Sequence, residues 1–478
     1  MATESQITFS SISEIGKLYR QGKLSPLELT RFLLERAKQL NPHLHAFITV
    51  SEELALEQAK CAESELGSKR GHKTRRDRGP LHGIPISLKD NIYTAGIRTT
   101  AGSKVLGEFV PLSDAPVVSA LREAGAVILG KTNMHEFAYG TTSNNPHYGA
   151  VKNPWDLSRI AGGSSGGSAA ALAAGLGYGS IGTDTGGSIR IPSSLCGVVG
   201  LKPGLGRVSA EHVVPLSPTL DFVGPLARNA EDTALLLEAI CVRAKGQRRL
   251  RWGRSSLRRS RRPRLGVVKD FFLERLSPEV QHSFQAALGV LEKRGARLKE
   301  VSLPLVEESE NAGNQIAWAE ATHYHQHAGW YPAHAGEYDQ EVAKRLEMGT
   351  KVPAVVYMQA LELREQFIAA FHLILEEESL DALVVPTTPI TATRVGEESV
   401  TICGSSYLTR ALLLRLNRPA NLAGVPAISV PCGLTESGLP VGLQFMGALT
   451  DETLLLELAR NFERACPLGA RPSLDSLL

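Results

Sequence analysis

Six cysteines in 478 residues, with no Cys-x-x-Cys pair among them, are too few and too scattered for a disulfide framework or the usual zinc spacings. Cys61, Cys196, Cys241, Cys403, Cys432 and Cys466 therefore read as reduced thiols, and a cytoplasmic setting is expected. The first residues lack a basic stretch followed by an apolar one, so no secretory signal is expected. Long apolar runs are missing too: Ala169–Leu176 is short and interrupted by Gly175, which excludes a bilayer span there. Histidine is absent after His372, which removes the serine–acid–histidine order of the common serine hydrolases. Disorder is excluded as well, because 43% of the residues are hydrophobic and only 21% charged.

Charge is unevenly spread. The formal net charge is +3, yet residues 243–264 alone carry eleven Lys/Arg and no acid, so the rest of the chain is net acidic. A smaller basic run covers Lys69–Arg78. Such runs can hold nucleic acid, but Trp252 is the only stacking aromatic within the longer one. It reads as a solvated connection, and no nucleic-acid partner is expected. A non-enzymatic nucleic-acid binder stands as the alternative of another class.

Apolar residues recur at three- and four-residue spacing in Ser11–Gln21, Ser25–Leu40 and Glu52–Leu66, so residues 1–66 read as an N-terminal helical segment. From Gly83 onward short β-rich runs alternate with helical stretches. The strands expected are Ile84–Leu88, Ala126–Leu129, Cys196–Leu201, Leu265–Val268, Ala382–Val385, Ala427–Val430 and Val441–Met446. This alternation predicts an α/β fold with a sheet covered on both faces. A single domain over 1–478 is expected, with a catalytic core at 79–240, a basic loop at 243–264 and a lid or pocket wall at 306–352.

Between Arg159 and Pro203 two glycine-rich loops each present serine. The first is Ala161–Ser168, AGGSSGGS; the second is Gly182–Pro192, GTDTGGSIRIP. Glycine lets backbone amides approach a ligand closely, and consecutive amides in a Gly-Gly-Ser turn can face one oxyanion. A phosphate loop would end in Gly-Lys-Ser/Thr, which Ser168-Ala169-Ala170 does not supply. Gly162-x-Ser164-x-Gly166 matches a nucleophile elbow only formally, because no clear strand precedes it. A purely structural turn is the remaining reading of either loop. A serine nucleophile needs a base, and buried lysine can serve where histidine is missing, because desolvation lowers its pKa. Lys89 closes the apolar run Ile84–Leu88 and is placed for burial.

The chain resembles the amidase signature family. The resemblance is carried by Gly79–Ile92, Ala124–Tyr139, Asn153–Trp155, Ile160–Ala171, Ser180–Ser193, Gly197–Gly204, Pro419–Leu434 and Leu439–Ala448. It implies a large central mixed sheet surrounded by helices and a Ser–cisSer–Lys triad. By motif position Ser188 is then the nucleophile, Ser164 the cis-serine after a cis Gly163–Ser164 peptide, and Lys89 the base. The amides of Thr185, Gly186, Gly187 and Ser188 are the implied oxyanion hole. Ser165 is expected to assist Lys89, with Asp184 and Arg190 holding the loop. Ala138, Tyr139, Gly140 and Thr141 are implied to line the acyl side of the pocket. Trp318, Trp330, Tyr331 and Tyr357 would make the leaving-group side aromatic. His323, His325, His327 and His334 lack an acid to complete a metal site, so neither metal nor cofactor is expected.

Within such a family the chain could be a stand-alone hydrolase or a glutamyl-tRNA amidotransferase A-type glutaminase subunit. Arg364 sits where the resemblance implies a carboxylate-binding arginine, but Leu414 stands where its acidic partner should be. The expectation is accordingly a stand-alone enzyme, monomer or homodimer, cleaving small-molecule aryl or alkyl amides, carbamates (urethanes) and activated esters, away from any membrane.

Overall fold

The computed structural model describes residues 4–67, 76–242, 262–474 and 477. Most of the basic run 243–264, and most of Lys69–Arg78, lie outside the described residues. The N-terminal segment forms helices Glu4–Phe9, Ile12–Arg20, Pro26–Leu44 and Glu52–Leu66. Ser11 with Glu14 and Ser25 with Glu28 close reciprocal capping boxes, each satisfying two orphan amides. Reading the first fifty residues as all helix misses one strand, Phe47–Val50. Its sequence, FITV, is aromatic and β-branched, but four residues are too few to display a period.

Among the described residues eleven strands make one mixed sheet. Its first half runs, in spatial order, Phe47–Val50, Val127–Thr132, Pro85–Lys89, Gly179–Asp184, Phe222–Ala227 and Val199–Lys202. It continues through Ala427–Leu434, Pro440–Met446, Ala382–Pro386, Arg264–Val268 and Arg297–Val301. Helices surround it, giving the α/β architecture expected. Gly179–Asp184 and Phe222–Ala227 are strands that local pattern does not reveal. Glycines in the first and a Gly-Pro pair in the second weaken the local strand signal, and complete burial within the sheet overrides it.

The helices Pro278–Lys293, Ala354–Glu377 and Glu452–Ala465 cover the half of the sheet that ends at Arg297–Val301, and Phe284, Phe367, Phe371 and Phe462 fill that core. Helices Ile12–Arg20, Pro26–Leu44 and Pro116–Glu123 cover the other half through Ile15, Leu29, Leu33 and Val118. Residues 306–352 are not sheet but helices Val306–His327 and Gln340–Gly349 joined by an aromatic turn. Among the described residues no helix is long and apolar enough to cross a membrane.

What positions the site is one local arrangement. Pro85–Lys89 pairs in parallel with Gly179–Asp184, so the carboxyl ends of both strands emerge together. Crevices beyond strand carboxyl ends are where α/β sheets usually place ligands. The helix Gly166–Ala173 packs close to these ends, every residue buried and none larger than leucine.

Candidate active site

Lys89 is the last residue of its strand and has no solvent exposure. Its Nζ donates to Ser164 Oγ at 2.7 Å and to Thr183 Oγ1 at 2.7 Å, with Thr183 O at 3.4 Å. Burial pushes its pKa down to about 7, partly opposed by the charges of Asp221 and Asp184. A lysine in this state is neutral for much of the time near neutral pH, so it can accept a proton.

Ser164 follows a cis peptide from Gly163. Its carbonyl accepts from the His135 amide at 3.2 Å and from Ser143 Oγ at 3.2 Å, which fixes the loop against the neighbouring segment. A Cβ on Gly163 would come within 2.8 Å of the Ser143 backbone nitrogen, and one on Gly167 within 2.4 Å of two carbonyl oxygens. The glycines of this loop are therefore required by close packing. Ser165 Oγ donates to Thr183 O at 3.1 Å, and the Ser165 amide donates to Ser188 O at 3.1 Å. Ser165 thus reaches Lys89 only through Thr183 and ties the two serine loops together.

Asp184 organises the second loop. Its carboxylate accepts from the amides of Gly187 at 2.8 Å and Ile189 at 3.1 Å, and from Arg190 Nη2 at 2.8 Å and Nε at 3.0 Å. Burial alone would raise its pKa, but the charge and hydrogen bonds of Arg190 and Asn421 hold it well below the usual carboxylate range. Arg190 extends the network to Gln444 Oε1 at 2.6 Å and Asn421 Oδ1 at 2.6 Å. Asp184 and Arg190 therefore sit where loop-holding residues were expected. The amide of Gly187 faces Asp184, which differs from its expected place among four amides turned towards one oxyanion. Gly187 has φ +119°, and a Cβ there would lie 2.5 Å from Asn417 Cβ.

A narrow cleft of about 20 Å³ opens beside Ser188. Ala138, Tyr139, Gly140 and Thr141 line it together with Thr185 and Gly186, so the expected acyl-side residues do meet the serine. Leu216, Ala317, Arg410, Leu414 and Arg418 complete its wall. The cleft shares Gly140, Thr141 and Arg410 with an adjoining cavity of about 390 Å³. Of the four aromatics expected on the leaving-group side, only Trp318 lines that cavity. Trp330 and Tyr331 instead pack with Phe137, His325 and Tyr338, and Tyr357 Oη donates to Glu320 at 3.0 Å. Residues 306–352 are anchored on the cleft wall: Arg345 Nη1 donates to Tyr139 O at 2.6 Å and the Asp339 amide to Glu136 Oε2 at 2.7 Å.

Several residues at the site escape a reading of the sequence. Thr183 lies inside the glycine-rich motif, but only the parallel strand register shows that it faces Lys89. Asp221 accepts from Thr185 Oγ1 at 2.5 Å, and burial pushes its pKa up to about 6. His135 lines the larger cavity; burial pushes its pKa down to about 3, so it stays neutral. Arg364, where a carboxylate-binding arginine was implied, instead donates to Leu422 O at 3.1 Å and Thr219 O at 3.0 Å. Among the described residues no cluster of three or more His, Cys, Asp or Glu could hold a metal ion.

Lys89, at the carboxyl end of one of two adjacent parallel strands, is thus buried against Ser164, and both lie in an α/β fold close to the glycine-rich turn that carries Ser188. The Amidase family matches residues 28–456, and the chain belongs to the amidase signature family, whose enzymes act on carbon–nitrogen bonds. A curated relative from Thermoanaerobacter pseudethanolicus, the A-type subunit of glutamyl-tRNA(Gln) amidotransferase, is 38% identical over 97% of both chains. The protein of the same name from a Marinomonas species is 40% identical over 95% of this chain and 96% of its own. A solved amidase structure superposes with a TM-score of 0.86 at 37% identity, covering 96% of this chain and all of the other.

These relatives overturn the stand-alone reading, with its aryl amides, carbamates and esters, and favour the amidotransferase alternative. They equally overturn the expected monomer or homodimer working on a small molecule with no nucleic acid involved. The stand-alone expectation rested on Leu414. Leu414 does stand at the cleft, its Cδ2 3.0 Å from an ideal Cβ on Gly186. One absent carboxylate removes a single anchor for an ammonium group; it does not outweigh likeness that runs the length of both chains.

Proposed function

We propose that this chain is the amide-cleaving subunit of a glutamyl-tRNA(Gln) amidotransferase, working with partner subunits on a tRNA-bound acceptor. The observation that carries this reading is the end-to-end similarity to proteins of that name, supported by the buried Lys89–Ser164 hydrogen bond close to the Ser188 turn.

In this reading neutral Lys89 withdraws a proton from Ser164 Oγ, which takes one from Ser188 Oγ as that oxygen attacks the amide carbonyl. The developing oxyanion meets the amides of Thr185, Gly186 and Ser188, each such donor being worth about 3–4 kcal/mol. The carbon–nitrogen bond then breaks, and the relay returns the proton to the departing nitrogen, so ammonia leaves and Ser188 holds an acyl ester. Water, deprotonated by the same relay, attacks that ester; a carboxylic acid departs and Ser188 regains its proton. A shuttle beside the leaving nitrogen suits amides, because an amine leaves poorly unless protonated. Residues 306–352 serve as the wall of the donor cavity.

The test is glutamine-dependent amidation of glutamyl-tRNA by this chain combined with its partner subunits. The reading expects amidation and its loss with Ser188→Ala. Failure of the intact complex to amidate would refute it.

A further inference from the structure

Among the described residues, two arginines at the cleft have no counter-ion. Arg418 is almost fully buried; its Nη1 donates to Asn314 Oδ1 at 2.6 Å, while its buried Nε has no hydrogen-bond partner. Arg410 Nε is likewise buried without a partner, and no ion pair of the described residues reaches either guanidinium. Arg345 adds a third positive charge nearby but is paired with Glu341 at 3.1 Å. Burial together with mutual repulsion lowers the pKa of Arg410 to about 9, and burial lowers that of Arg418 to about 10.

An unpaired buried cation is costly, and buried polar atoms are nearly always satisfied, so Arg418, with the half-buried Arg410 beside it, calls for an anion. The arginines are close to the chemistry. An ideal Cβ on Gly186, in the turn beside Ser188, would lie 3.4 Å from both Nε and Nη2 of Arg418. Two further buried polar atoms on the same wall, Tyr139 Oη and Thr141 Oγ1, also lack partners. Guanidinium matches a carboxylate in a planar, two-point fashion.

We propose that Arg410 and Arg418 bind a carboxylate on the acyl side of the amide donor, with Tyr139 and Thr141 donating to the same group. The donor class is thus a short amide bearing a free carboxylate, to which glutamine belongs. This subsite rests on the amide-donor reading of the Ser188 cleft, and it replaces Arg364 as the carboxylate anchor.

Two measurements test it. The first is calorimetric binding of glutarate and of its neutral diamide to the full-length Ser188→Ala chain, with and without Arg410→Gln. Glutarate should bind, the diamide should bind about 30-fold or more weakly, and Arg410→Gln should weaken glutarate by a similar factor. Equal binding of the two ligands, or glutarate affinity untouched by Arg410→Gln, would overturn the proposal. Arg410 is chosen because it is partly exposed; Arg410→Lys, which keeps the charge and loses the fork, should recover part of the binding and so separates recognition from misfolding. The second is ammonia release from glutamine, glutaramate and butyramide, where the preference for the two acids should collapse in Arg410→Gln. Ammonia release with no preference for the acids sinks the subsite and leaves the amidotransferase reading standing. Glutarate binding without ammonia release from any donor does the reverse.

Discussion

Lys89 Nζ donates to Ser164 Oγ at 2.7 Å, and neither residue is exposed to solvent. The same burial that lowers the pKa of the lysine to about 7 makes it fit to accept a proton, so packing and chemistry have one cause.

The rate of ammonia release should therefore rise with pH through about 7. Below that value Lys89 is protonated and cannot act as base; above it the neutral amine is the main form. A pH–rate profile for kcat checks this, and a rate that is flat between pH 6 and about 8 would contradict it.

Replacing Lys89 by Met should abolish ammonia release while leaving the melting temperature unchanged or higher at neutral pH. The folded-state pKa lies below the ordinary lysine value, so the fold disfavours the charged amine, and this penalty grows as pH falls towards about 7. Thermal unfolding of the two proteins at neutral pH reads it directly. A melting temperature lowered by the substitution would mean that Lys89 stabilises the fold.

Thr183→Val removes one acceptor of the lysine at nearly constant volume. Thr183 bonds Lys89 and is not among the residues that line the cleft, so kcat should fall about tenfold, with KM little changed and the midpoint of the pH profile displaced. Steady-state kinetics across pH would expose a merely structural role as unchanged kcat per folded molecule.

Most of the core strands and the two serine loops are legible in the sequence, because apolar runs and glycine-rich motifs are local signals. What is not legible depends on long-range register. Thr183 looks like any motif threonine until Gly179–Asp184 is laid beside Pro85–Lys89. Arg410 and Arg418 lie more than two hundred residues after Ser188, and no local signal in the sequence links them to it. Arg364 invites a binding role by position, yet its donors go to the carbonyls of Leu422 and Thr219. The choice of function fails for a different reason: Leu414 is a single position, whereas the likeness to A-type subunits of glutamyl-tRNA(Gln) amidotransferase runs the length of the chain.

Arg190→Met should lower stability by about 3–5 kcal/mol, because it leaves the Asp184 carboxylate buried and unpaired. Asp184 has a depressed pKa, so its contribution is present above the ordinary carboxylate value of about 4 and is lost as pH falls below it. Adding Asp184→Asn to Arg190→Met should restore part of the melting temperature. Recovery of none would mean that the arginine acts through its other partners, Gln444 and Asn421.

Gly187→Ala should destroy activity and destabilise the turn, since its Cβ would press on Asn417 at a backbone angle that only glycine adopts easily. Gly289→Ala is the matched control. Gly289 lies inside helix Pro278–Lys293 with no atom within 4 Å of an added Cβ, and alanine there should stabilise by about 0.5–1 kcal/mol. Melting temperatures of the two variants should move in opposite directions.

The most direct test of the account is acid-quenched mass spectrometry of the chain during turnover with glutamine. The account predicts that the peptide holding Ser188 gains the mass of one glutamyl acyl group, and that Ser188→Ala carries none. An acyl group found on Ser164 or Ser165 while Ser188 stays unmodified would contradict it.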